Sequence, residues 1–119
     1  MSITAVVRNY ITFTGDQDSE LIYNSGSLAD SPAMSELANL TTGNNTITVP
    51  VVDDFVVHGV VILPPSGNTV QPTVKGIAAD TGFAISESQA SVIQFGTDVP
   101  VSFVLNVSAD IDGLRLVWF

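Results

Sequence analysis

Cysteine is absent from all 119 residues, and with it go disulfides, thiolate metal sites and thiol nucleophiles. Basic residues are nearly absent too: Arg8, Lys75 and Arg115 stand against 12 acids, for a net charge of −9. Such a chain repels phosphate backbones, which excludes nucleic-acid binding through a basic face. Long apolar runs are also missing. The longest, residues 55–63, is under half the roughly 20 residues of a membrane-spanning helix and contains His58, so no membrane partner is expected. No basic-then-apolar segment opens the chain, and a secretory leader is not expected either. Charge of any sign is scarce, at 13% of residues against about 25% in ordinary soluble domains.

What replaces charge is apolar and small polar side chain. Hydrophobic residues make up 45% and the mean hydropathy is +0.41, while Ser, Thr and Asn carry much of the polar surface. Few lysines are left to guard strand edges against pairing with another chain. A lone monomer of this composition is prone to associate, so a homo-oligomer or docking on a larger assembly is expected.

The length suits one domain with a real core, and the patterning is that of strands. Ile3, Ala5, Val7, Ile11 and Phe13 share one parity, and the turn at 15–19 returns the chain through residues 20–23 as a hairpin. Residues 24–33 read as a loop. Over 31–40, Ser31 can cap and Pro32 can open a helical turn with Met34, Leu37 and Ala38 on one face; a short strand fits the same residues. Residues 42–45 read as a turn and 46–52 as a strand. Residues 55–63 are apolar on both parities, as in a central strand covered on both sides. Further strands are expected at 69–78, interrupted by Pro72, at 83–85, at 92–95, and at 99–107 with Val99, Val101, Phe103, Leu105 and Val107 on one parity. Residues 109–113 read as a hairpin turn into the last strand. Eight or nine short strands at such spacing predict an all-β, antiparallel sandwich of jelly-roll type. One sandwich domain over 1–119 is expected, with 41–119 as its body and 1–40 as a docking or oligomerisation arm.

Chemistry-bearing groups are few. Asp16, Asp18 and Glu20 are spaced by two, as Ca²⁺ ligands can be, but Leu21 stands where the turning glycine of an EF-hand belongs and Ser27 where its bidentate Glu belongs. A solvated hairpin tip accounts for them. Asp110 and Asp112 beside Gly113 read as turn formers. His58, the only histidine, lies in the most apolar segment near Asp53 and Asp54. No Gly-x-Ser-x-Gly elbow accompanies it, so a core or interface histidine is expected rather than a triad base. Paired carboxylates for glycoside hydrolysis are a signal any acidic chain supplies. Tyr10, Tyr23 and Trp118 are the aromatics a sugar could stack on. No catalytic residue, metal site or cofactor is assigned.

The terminal segment is the most informative. In residues 113–119, Leu114, Leu116 and Trp118 alternate with Arg115, Val117 and Phe119, and the apolar character persists to the last residue. Such a strand is packed on both faces, in a core or against another copy. Leu114, Leu116, Trp118 and Phe119, with Tyr10 and Tyr23, are therefore the candidate interface residues.

The stretches Thr42-Gly43-Asn44-Asn45-Thr46-Ile47-Thr48-Val49-Pro50, Val61-Ile62-Leu63-Pro64-Pro65-Ser66-Gly67-Asn68, Lys75-Gly76-Ile77-Ala78-Ala79-Asp80-Thr81-Gly82 and Gly113-Leu114-Arg115-Leu116-Val117-Trp118-Phe119 resemble the small β-sandwich accessory proteins of tailed-bacteriophage virions, over roughly residues 42–119. The resemblance implies a jelly-roll-like sandwich, commonly trimeric, located in the virion and assembled in the host cytoplasm. It implies a non-enzymatic capsid decoration, or cement, protein that bridges neighbouring subunits of the major capsid protein or another virion protein. A tail or fibre module that binds a receptor or glycan is the alternative.

Overall fold

A computed structural model describes residues 5–13, 19–28, 34–51 and 56–119, with side chains described from residue 34 onward. Among these residues all regular structure is strand. β1 (Ala5–Phe13) and β2 (Ser19–Leu28) form an antiparallel hairpin. β2 continues through 24–28, where a loop was expected, because those residues keep pairing with β1 as far as Ala5 opposite Leu28.

The body of the molecule is eight strands in two antiparallel sheets: β3 (Met34–Leu40), β4 (Gly43–Thr48), β5 (Gly59–Leu63), β6 (Thr73–Lys75), β7 (Phe83–Ala84), β8 (Ser91–Gln94), β9 (Ser102–Val107) and β10 (Ile111–Trp118). The first sheet has the order β3-β10-β5-β8 and the second β4-β9-β6-β7. First pairs with last, second with next to last, and so inward to β6 with β7. One long hairpin wrapped around a common core gives this nesting, and it is the jelly-roll topology expected from the strand count.

Alternation within each strand sets the core. Leu114, Leu116 and Trp118 of β10, Val60 and Ile62 of β5 and Leu40 of β3 face Ile47 of β4 and Phe103, Leu105 and Val107 of β9. The Phe103 ring meets the Trp118 indole edge-on at 6.3 Å and Phe95 at 6.5 Å, so one aromatic row ties the sheets together. Such pairs add about 0.5–1.5 kcal/mol beyond their burial. The indole N–H is not stranded, since Nε1 donates to Glu36 Oε1 at 3.0 Å.

Several expected boundaries move. The helical turn over 31–40 does not form within the described residues: β3 runs from Met34, with Met34, Ala38 and Leu40 turned inward and Leu37 outward, 63% exposed. Gly43, at φ +105°, opens β4 rather than lying in a turn. In the apolar segment 55–63, Gly59–Leu63 is strand and the described residues 56–58 ahead of it are not. Ahead of it the N–H groups of His58 and Gly59 both donate to the Phe119 carbonyl, at 2.6 and 3.1 Å. β6 shrinks to three residues behind buried Pro72. β9 starts only at Ser102, and Val101, assigned to the inward parity, is 80% exposed. β10 begins at Ile111, inside the expected turn, with a bulge before Leu114 that Gly113 accommodates at φ +82°.

Candidate functional site

The terminal strand lies between β3 and β5, so both its edges are paired and its two faces decide its role. Leu114, Leu116 and Trp118 are fully buried between the sheets. Three of the candidate interface residues are thus core of the fold itself, for a simple reason: their parity points at the second sheet, which leaves them no surface for another molecule. Phe119, on the opposite parity, is 4% exposed. Its N–H donates to Gly59 O at 3.1 Å, and its ring lies against Gly59 so closely that a Cβ there would sit 2.6 Å from Cζ. Tyr10 and Tyr23 are on β1 and β2, Tyr10 opposite Ile22 and Tyr23 opposite Asn9; their side chains lie outside the described residues.

Among the described residues, outward parity on the first sheet is where exposed and half-buried apolar side chains collect. Arg115 pairs across the ladder with Leu37 on one side and Leu63 on the other. The next outward row is Ser35, Val117, Val61 and Val92. Leu37, Leu63, Val61, Val117 and Val92 therefore surround a single ionic group, the Arg115 guanidinium, which donates to Ser35 Oγ at 2.8 Å. The second sheet differs. Its outward rows carry Asn44, Asn106 and Thr73, then Thr46, Val104 and Lys75, and Asn106 Nδ2 donates to Asn44 Oδ1 at 2.7 Å. One outer face is mostly amides and hydroxyls with Lys75 among them, the other mostly aliphatic around Arg115, with Asn39 and Asp112 at its far end by the bulge.

A second apolar surface forms at one end of the sandwich, where the connection after β4 meets the one before β9. The Val49 N–H donates to Val101 O at 3.0 Å and holds the two together. Val51 (92% exposed), Val56, Val99 and Val101 stand in solvent there around a shallow groove of about 280 Å³. A larger apolar cleft of about 410 Å³ opens between the short edge strands β7 and β8, lined by Val74, Ile93, Phe95 and Phe103 together with exposed Phe83. A polar hollow of about 450 Å³ is lined by Thr69, Gln71, Thr73, Glu87, Asn106 and Ser108. Those residues could satisfy sugar hydroxyls, but they supply no ring for a sugar to stack on.

The remaining candidates have structural surroundings. Asp110 does not brace its own turn. Its Oδ1 accepts from the Thr42 N–H at 2.8 Å and the Thr42 hydroxyl at 2.9 Å, tying the β9–β10 corner to the β3–β4 corner. Those two donors, backbone first, hold its carboxyl below the ordinary aspartate range. Asn39 Oδ1 accepts from the Gly113 N–H in the same corner. His58 is partly buried, and its carbonyl accepts from Phe95 N. Asp16, Asp18, Asp53 and Asp54 lie outside the described residues, as does the Glu20 side chain. Among the described residues no three His, Asp or Glu side chains come together as a metal site would require. Comparison with protein-family models, curated proteins and solved structures returns no match.

The outward face of the first sheet is the surface sequence reasoning missed. Its signal was present: in residues 59–63 and 115–117 apolar residues occupy both parities. The interface expected from the sequence takes the core-facing Leu114, Leu116 and Trp118 with Phe119, and leaves out Val61, Leu63 and Val117.

Proposed function

We propose that this protein is a non-enzymatic structural component of a tailed-phage virion, a homo-oligomeric capsid decoration protein that cements neighbouring subunits. The observation that carries the reading is the difference between its two outer faces. Contiguous outward aliphatics on one sheet, opposite a polar ladder on the other, suit burial against another protein surface. For a decoration protein, that burial would bridge capsid subunits and resist the pressure of packaged DNA. The jelly roll adds analogy only, because the same fold serves viral capsid proteins, lectins and cupins.

Quantitative mass spectrometry of purified particles of the encoding phage tests this. Hundreds of copies per particle, and DNA release at lower temperature when the gene is deleted, are expected. A few copies confined to the tail would favour the receptor-binding alternative, and absence from purified particles would overturn both.

A further inference from the structure

We infer that copies of this chain join head to tail, the outward face of the β3-β10-β5-β8 sheet of one copy seating on the valine-rich end of the next. The inference rests on the homo-oligomer reading above and adds which surfaces meet. Two separate apolar surfaces are exposed on one small molecule. The face is built from exposed Leu37 and Val92 with half-buried Leu63, Val61 and Val117 around Arg115. The end is built from Val51, Val56, Val99 and Val101 around a groove of about 280 Å³. Leu37 projects from the face and the groove is a concavity, so knob and recess lie on different surfaces of one chain.

Charge separates this pairing from its rivals. Among the described residues, the two central outward rows of the first sheet, Leu37-Arg115-Leu63 and Ser35-Val117-Val61-Val92, hold Arg115 as their only ionic group; the exposed Asp112 lies further along β10, at the bulge. At the end, Asp98 is exposed next to Val99. Two faces meeting about a two-fold axis on those central rows would bring Arg115 of each copy together. Two ends would bring together Asp98 of each copy. A face on an end sets cation against anion and aliphatic against aliphatic, which fixes orientation and suppresses the wrong pairings. A contact between unlike surfaces leaves one of each free on every pair. It therefore closes into a ring or runs on as a filament, and a ring of three is one such closure.

Two substitutions at exposed positions test this without touching the core: Leu37→Asp, which breaks the face, and Val101→Asp, which breaks the end. Circular dichroism melts establish that both fold, and size-exclusion chromatography with light scattering reads mass. The parent chain is expected as a closed oligomer and each variant alone as a monomer of 12.5 kDa. An equimolar mixture of the two is expected at twice that mass, because the pair retains one intact face and one intact end. If Leu37→Asp is monomeric while Val101→Asp keeps the parent's mass, faces pair with faces and the inference is wrong; the converse means ends pair with ends. If both variants keep the parent's mass, or both are monomers that do not combine, the inference also fails while the homo-oligomer reading stands. A parent chain that is itself monomeric at tens of micromolar overturns the homo-oligomer reading as well.

Discussion

Ending the chain at Val117 removes two side chains that do different work. Trp118 is completely buried, edge-on to Phe103, with its N–H on Glu36. Removing it opens a hole at the aromatic row that joins the sheets. Phe119 covers Gly59, and its backbone makes three hydrogen bonds, two accepted from His58 and Gly59 and one donated to Gly59 O. Aromatic truncations at packed sites cost about 3–5 kcal/mol each, and each lost backbone hydrogen bond about 0.5–1.5 kcal/mol net. The sum approaches or exceeds the roughly 5–15 kcal/mol that stabilises a domain. The shortened chain is expected to be insoluble, or to lose its cooperative thermal transition by circular dichroism. Trp118→Phe, which keeps the ring edge but loses the indole N–H, should remain folded with a clearly lower Tm. A chain ending at Val117 that stays soluble and melts within a few degrees of the parent would refute the role of this strand as the centre of its sheet. Because Leu114, Leu116 and Trp118 face inward, this experiment reads the fold; association is read by the exposed Leu37 and Val101.

Gly59→Ala should destabilise by about 1–3 kcal/mol, as overpacking does, because the new methyl would collide with the Ile93 carbonyl and sit 2.6 Å from the Phe119 ring; an unchanged Tm would mean that Phe119 does not lie on that strand. Asp110 supplies a pH signature. Its folded carboxyl titrates below the ordinary aspartate range, so its contribution is complete above that range and is lost as the pH falls through the folded value. Melts of the parent and Asp110→Asn against pH should therefore show a gap at neutral pH that narrows in acid, and a gap that widens in acid would contradict the Thr42 contacts.

The architecture was legible because period-two alternation and turn residues are local signals. Residues 102–107 and 114–118 announce their strands, and stretches rich in Gly with Asn or Asp, such as 66–68 and 80–82, punctuate the chain. Residues 31–40 were ambiguous because Met34, Leu37 and Ala38 fit helical spacing as well as a strand does. Pairing with β10 along the whole of β3 decided it, and that contact spans about 80 residues of sequence, from Glu36 to Trp118. Strand ends failed for a similar reason. Val99 and Val101 continue the inward parity of β9, but Pro100 between them has no N–H to pair, and the ladder with β4 stops at Ser102 opposite Thr48. The site was half legible. That β10 is apolar on both faces could be read from residues 114–119; which face meets its own core and which meets solvent depends on where the second sheet lies, and no local pattern states that.

The electrostatics show what any association of this chain must rest on. At a net charge of −9, two copies about 30 Å apart repel by roughly 10 kcal/mol in unscreened water, and by a few tenths of a kcal/mol once a Debye length of about 8 Å applies. One exposed Arg–Asp pair returns about 0–1 kcal/mol, so near physiological salt the two terms are of similar size and nearly cancel. Charge then selects which surfaces meet and leaves the strength to apolar burial at about 25 cal/mol per Å². On the head-to-tail pairing proposed above, Arg115 in the middle of an aliphatic face fits that division. Replacing it by another leucine would enlarge the adhesive area but let face meet face as readily as end, whereas one cation on a chain with 12 acids disfavours the symmetric encounter and keeps the acidic end attractive.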